Sequence, residues 1–327
     1  MSETLASKRA AGVQTDFAVD APFPREFQLD VTERCNHRCL FCSNAKLRQR
    51  DEMPLALARR ILAEAHACGA RQVGLYGTGE PFMHPDFVRI VAAAKELGYE
   101  YAYIDTNGAL ATPERAFPAL DAGLDSVKFS INAGTRASYR AVHGRDDFEL
   151  VLANLRALRE YRDRKGLRAR LYASMVVIDR VRDEVTLLEA LARPLVDEWI
   201  VRPVFNACGN NPENNSLAAI EPCNIRGRKT GARCFQPFKG FCVTAQGYLS
   251  ACVLDYQRAL IMADLNVTGL MDAWTSARYR ELRRRHRDAD LAGLICHNCV
   301  HNTDAPFSPV TPEFAKLFRG GAASEEV

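Results

Sequence analysis

The chain has 327 residues, 47% hydrophobic and 25% charged, a globular composition with apolar material for one large α/β barrel or two modest domains. A formal charge of +3 with dispersed basic residues excludes a concentrated phosphate-binding face, and with it a nucleic-acid partner. No apolar stretch reaches the ~20 residues that cross a bilayer, and the N-terminus has no signal-peptide core, so the expected location is cytoplasmic, with no membrane partner.

In chain order, 1–25 reads as a tail, too short for a separate domain. From 26 to 205, short apolar runs at 27–32, 72–76, 101–105, 126–131, 169–177 and 198–204 alternate with helical periodicity at about 54–68, 85–97, 112–121, 147–163 and 182–192. Such alternation predicts a parallel sheet with right-handed crossovers. Six βα units predict a partial, TIM-like (β/α)6 barrel with its functional residues at the C-terminal ends of the strands. Segment 206–233, rich in Asn, Gly and Pro, reads as a connecting loop. Residues 234–305 form a small domain: a β-hairpin at 240–253 turning near Gln246-Gly247, a helix at about 270–286, and Cys296-His-Asn-Cys299. Within it, the basic run 280–287 (RELRRRHR) reads as a solvated helix face. A tail, 306–327, follows.

Eleven cysteines in a reducing compartment ask for metal rather than disulfides. Cys35, Cys39 and Cys42 directly follow the first strand, spaced so that one loop wraps a cubane. Such clusters take four cysteines, so three leave one iron open for a ligand; structural zinc recruiting His37 is the alternative. The neighbouring strand ends each carry a polar cluster: Gly77-Thr78-Gly79-Glu80-Pro81, Thr106-Asn107-Gly108 and Ser130-Ile131-Asn132. The glycines let backbone approach a ligand closely, and Glu80 offers a carboxylate. Further on, Cys234, Cys252, Cys296 and Cys299 can close around one centre, an iron–sulfur cluster or a structural zinc.

The CxxxCxxC spacing and the Thr78-Gly79-Glu80-Pro81 segment resemble the radical S-adenosylmethionine (radical SAM) superfamily, whose GGEP motif has glycine where Thr78 stands. The resemblance implies an enzyme with two [4Fe–4S] clusters and SAM, reduced by a donor such as flavodoxin or ferredoxin. SAM would chelate the open iron, with Gly79 and Glu80 at its methionine amino group. Ser130 and Asn132 would lie at the ribose or carboxylate, backbone near Phe41 and Val177 at the adenine, and Gly77 and Asn107 elsewhere in the cofactor site. Cysteines 234, 252, 296 and 299 resemble the twitch form of the SPASM extension, which implies one closed auxiliary [4Fe–4S] cluster.

The expected substrate is a small polar molecule, a sugar, aminocyclitol or aminoglycoside-type natural product, that is dehydrogenated or epimerised. Candidate binding residues at the barrel mouth are Tyr76, His84, Arg202 and Asn206. Cys208 and Cys223, in the loop leaving the last strand, are candidate hydrogen-atom donors. Cys68 and Cys242 read as small core residues. A peptide maturase is the second reading, and a non-catalytic iron–sulfur electron carrier the third.

Overall fold

The computed structural model describes residues 17–47, 50–206, 211–217, 229–230 and 233–318. Six strands, β1 (Glu26–Leu29), β2 (Gln72–Gly74), β3 (Tyr101–Thr106), β4 (Ser126–Ser130), β5 (Arg170–Val177) and β6 (Glu198–Pro203), pair in parallel in sequence order. This is the predicted open half-barrel. The α/β pattern follows from burial on the helix side: Phe27 and Leu29 of β1, Val31 just beyond it, and Ala102 and Ile104 of β3 are almost wholly shielded. The alternate residues form a second row, because side chains along a strand switch faces at every step. That row carries Glu26, Gln28 and Asp30 from β1 and its end, Tyr101, Tyr103 and Asp105 from β3, and Lys128 from β4. It is polar and internally bonded: Lys128 pairs with Asp105, and the Tyr103 hydroxyl donates to Glu26.

The crossover helices bury one stripe each. Helix Leu55–Ala67 covers the sheet with Ala58, Ile61, Leu62 and Ala65, and helix Phe148–Lys165 does so with Phe148, Val151, Leu152, Leu155 and Leu158. These are i, i+3, i+4, i+7 positions, the apolar face of a 3.6-residue period. Helix Arg136–His143 was not legible in the sequence. It is short, buries only Tyr139, Val142 and His143, and is held by its ends, with Thr135 capping the Ser138 N–H and Gly144 closing it at φ +69°.

The C-terminal region does not stand apart from the barrel. After the short pair β7 (Lys229–Thr230) and β8 (Arg233–Cys234), strand β9 (Cys242–Val243) runs parallel to β1, with β10 (Tyr248–Ser250) and β11 (Ile261–Asp264) antiparallel beyond it. The amides of Gln28 and Asp30 donate to the carbonyls of Phe241 and Val243 at 3.0 and 2.9 Å. The hairpin therefore continues the sheet at the edge β1 would otherwise leave exposed, which removes an unpaired strand edge. Its turn falls where the sequence places it, at Gly247 with φ +90°.

The predicted helix at 270–286 is two, Leu270–Trp274 and Ala277–Arg287. The basic run 280–287 is not simply a solvated face. Arg283 is buried, its guanidinium stacked between Trp274 and Tyr279 at 3.9 and 4.2 Å and donating to the carbonyls of Pro237, Trp274 and Val19. A planar cation that stacks on aromatic faces and donates from Nε and Nη1 to carbonyls tolerates burial that an ammonium would not, although Nη2 has no partner among the described residues. Cys242 is a core residue as expected, whereas Cys68 caps a helix and is half-buried.

Candidate functional site

At the end of β1 the chain turns into the loop bearing Cys35, Cys39 and Cys42. None of the nine described cysteines is in a disulfide. Burial, reinforced by the Glu80 carboxylate, pushes the Cys35 thiol up to about 12. Burial and the two sister thiols push Cys39 well up. Thiols so placed cannot ionise together without a cation among them, which is the requirement a metal centre meets.

Glu80 is almost fully buried and caps the turn Pro81–Met83. One oxygen accepts from Thr106 Oγ1 at 2.7 Å and the Phe82 N–H at 3.2 Å, the other from the Asn107 N–H at 2.8 Å. Asn107 then reaches the cysteine loop, donating from Nδ2 to Asn36 Oδ1 at 2.8 Å and lying 3.8 Å from Cys35 Sγ. Gly79 is the residue that makes this fit. A Cβ there would stand 2.3 Å from the Thr32 carbonyl oxygen and 2.4 Å from that of Arg34. The glycine lets two loops touch, so that Glu80 N–H bonds the Arg34 carbonyl at 2.8 Å.

On the other side, His143 approaches Cys39 Sγ at 3.4 Å and His37 Nδ1 at 3.2 Å, while its Nε2 bonds the Ile131 carbonyl at 2.7 Å. His37 Nε2 lies 3.0 Å from Asp147. Both nitrogens of His37 thus face partners other than Cys35 and Cys42, while His37, Cys39 and His143 form a trio whose ligand atoms lie within 4.8 Å of one another. Sequence reasoning missed His143, since the contact joins residues 104 positions apart.

The second set of thiols converges equally. Cys234 on β8, Cys252 beyond β10, and Cys296 and Cys299 on helix Ile295–His301 all line one cavity of about 420 Å³, closed by apolar side chains including Pro237, Leu254, Leu260 and Ile295. Backbone amides of Gln236 and Leu254 donate to Cys234 and Cys252 Sγ at 3.5 and 3.4 Å. Burial and the three neighbouring thiols push Cys296 well up. His286, buried, also lines this cavity, and neither of its ring nitrogens has a protein partner.

A tetrahedral zinc with bonds of about 2.3 Å draws its thiolates to within roughly 4 Å of one another. Among the described residues, no three of the seven thiols have sulfurs all within 4.8 Å. Both sets therefore fit the larger cubane, and the unsatisfied His286 fits a cluster whose sulfur can accept its N–H. Residues 29–186 match the family model described as the radical SAM superfamily, and residues 234–300 match one described as an iron-sulfur cluster-binding domain, SPASM.

The chain belongs to the radical SAM superfamily. Its cofactors are SAM and [4Fe–4S] clusters. Among curated relatives, a probable GTP 3',8-cyclase of Methanothermobacter marburgensis is 33% identical over 129 residues, 39% of this chain and 42% of that protein. A PqqA peptide cyclase of Methylobacterium sp. is 35% identical over 125 residues, 38% of this chain and 32% of that one. The chain thus spans less than half the length of these relatives. Among solved structures, BtrN in complex with AdoMet and 2-DOIA aligns at TM-score 0.56 and 15% identity, over 87% of this chain and 97% of that one. Streptococcus suis SuiB bound to the precursor peptide SuiA aligns at 0.66 and 15%, over 81% and 68%. These share the fold of this radical SAM enzyme.

The other predicted residues are distributed unevenly. Gly79, Glu80 and Asn107 gather at the cysteine loop, Gly77 lies against Asp30, and Ser130 closes β4 opposite Ser174. Asn132, in the left-handed region at φ +55°, spends its side-chain oxygen on the Val176 N–H at 2.8 Å. The Val177 carbonyl accepts from the Val204 N–H, and that of Phe41 from Asn211 and Asn214. His84 is not available to a substrate: one ring nitrogen lies 2.8 Å from the Met53 carbonyl and the other accepts from the Asp86 N–H. Nor is Asn206, which is buried and donates to Asn302 Oδ1 at 2.8 Å, tying the end of β6 to the Cys296–Cys299 helix. Tyr76 lies half-buried against Tyr103, and Arg202 half-buried on β6. Cys208 and Cys223 lie outside the described residues.

His286 supports a specific expectation. A donor to a cluster sulfur stabilises the more negative, reduced state. His286→Leu is expected to lower the auxiliary midpoint potential with iron content unchanged, as read by potentiometric EPR. An unshifted potential would place the imidazole in a purely packing role.

Proposed function

We propose that this protein uses SAM-derived radical chemistry to take a hydrogen atom from a small polar substrate held between the two cluster sites, dehydrogenating or epimerising a sugar- or aminocyclitol-like carbon. When bound, the cluster and SAM supply a one-electron cleavage that yields methionine and a 5′-deoxyadenosyl radical, the hydrogen-atom acceptor. The supporting observation is a second cavity, bounded on one side by Gly77 and Thr78 and on the other by Cys252, which also lines the auxiliary-cluster cavity. A substrate group there has the SAM-binding segment beside it and an electron-transfer ligand opposite.

The chain's own contributions are positioning and charge. Glu80 presents the anion for the SAM amino group, held in place by Thr106, Asn107 and Phe82. Burial raises its carboxyl to about 7, so its charge is present above that pH and lost below it. SAM affinity is therefore expected to tighten from pH 6 to 8. Glu80→Gln should flatten that dependence and weaken binding at pH 8 by roughly tenfold or more, the scale of a charge-assisted hydrogen bond. Equilibrium dialysis at several pH values measures both.

A peptide maturase is the second reading, favoured by the fold shared with peptide-bound SuiB. An electron carrier has no use for the Glu80 cradle. The deciding experiment incubates reconstituted, reduced protein with SAM. Formation of 5′-deoxyadenosine is expected, and its absence with both dithionite and reduced flavodoxin would defeat the enzymatic reading.

A further inference from the structure

The cavity between the Gly77–Thr78 segment and Cys252 is lined by one carboxylate oxygen that no group among the described residues satisfies. Asp30 stands just beyond β1 in the polar row of the half-barrel and is only 2% exposed. Its Oδ2 accepts from the Thr78 N–H at 3.1 Å and from Thr78 Oγ1 at 2.8 Å. Its Oδ1 is buried without any hydrogen-bond partner. Buried carboxylate oxygens are rarely left so, because the desolvation cost is not recovered.

The other acidic groups of the cavity are already matched. Glu33 is paired with Arg258 at 2.6 Å. Asp255 accepts from Ser250 Oγ and from the amides of Ala259 and Leu260 at 2.7 to 2.8 Å. Among the described residues lining the cavity, Arg258 is the cation and is engaged by Glu33, which leaves Asp30 as the surplus negative group. Only a glycine at 77 leaves it room, since a Cβ there would stand 2.3 Å from Asp30 Cγ and 2.7 Å from Oδ1. Thr78, the departure from the family's glycine, anchors the other oxygen, Oδ2. The two unusual features are a single device.

We propose that this cavity is a substrate subsite for a primary ammonium group, with Asp30 Oδ1 as its acceptor and Thr78 as the residue that orients it. Thr244 and Ser250 line the same space and suit the hydroxyls of an amino-polyol. Burial and the nearby Glu33 raise the Asp30 carboxyl to about 7; an ammonium within hydrogen-bond reach restores the anion. The subsite rests on the reading above that the substrate is a small polar molecule lying between the clusters.

The test measures binding without turnover. Holoenzyme with both clusters and SAM is titrated calorimetrically with 2-deoxystreptamine, which carries two amines, and with scyllo-inositol, the amine-free ring. The amine is expected to bind more tightly than the cyclitol. Asp30→Asn, which keeps the shape, should weaken the amine roughly tenfold to a hundredfold, as loss of a charge-assisted hydrogen bond does, and leave scyllo-inositol unchanged. Thr78→Val, which removes only the orienting hydroxyl, should weaken it by less. Iron content and the melting curve report whether each variant is folded. Equal binding of the two rings, or an Asp30→Asn protein that holds the amine as tightly as the parent, overturns the subsite. Neither result bears on 5′-deoxyadenosine formation, whose absence would instead remove the enzymatic reading.

Discussion

Replacing Cys39 with alanine is expected to halve the iron, from roughly eight to roughly four per chain, and to bring 5′-deoxyadenosine formation down to background. The effect is large because the site has only three thiolates to begin with. Two cannot hold a cubane whose fourth iron must stay open. Cys39 is also the most enclosed member, touched by His143 and backed by His37 and Asp147, so no water-borne ligand easily replaces it. Iron analysis, the visible absorption of the reduced protein and chromatography of the SAM products give the answer. A variant that retained all its iron and its cleavage activity would show that the cysteine loop is not the SAM-binding site.

Replacing Cys299 with alanine is expected to produce the complementary loss. Iron should again fall to roughly four per chain, but SAM cleavage should persist, because the loop at Cys35 is untouched. Substrate conversion should stop. Stability should fall as well, since metal binding in such domains is coupled to folding. The four thiols come from β8, the turn after β10 and one short helix, and around a cavity of about 420 Å³ the centre is what they share. Melting followed by circular dichroism should show an earlier transition than in the parent. Undiminished iron would mean that the second set of cysteines does not hold a cluster.

The half-barrel was legible because its signal is local and repeated. Each βα unit announces itself by a short apolar run followed by a helical stripe, and the observed strands fall within a few residues of the predicted ones. The element that escaped, helix Arg136–His143, is stabilised by Thr135, Gly144 and the Glu184 carboxylate rather than by its own apolar stripe. The cysteine sets were legible for a similar reason: short, fixed spacings of one soft ligand have few other uses in a reducing compartment. Substrate residues were harder. His84 and Asn206 are polar residues that strand order alone offers to a substrate, but both are buried and their nitrogens are engaged by partners that no spacing reveals. Asp30 was overlooked because an acidic residue ending a strand is ordinary until its second oxygen is seen to lack a partner.

The amino-acid sequence alone determined the α/β alternation, the two groups of cysteines and the Glu80 segment, because each is a short-range pattern in which residue type and spacing already imply the chemistry. The tertiary structure alone decided that β9 joins the edge of β1, that Arg283 and His286 turn inward from a basic run, and that Cys252 serves both cavities. It also decided that Asp30 lines one of those cavities with an oxygen that has no partner among the described residues. These depend on which distant groups satisfy one another's hydrogen bonds and charges, and that is settled only when strands far apart in the chain take a common register.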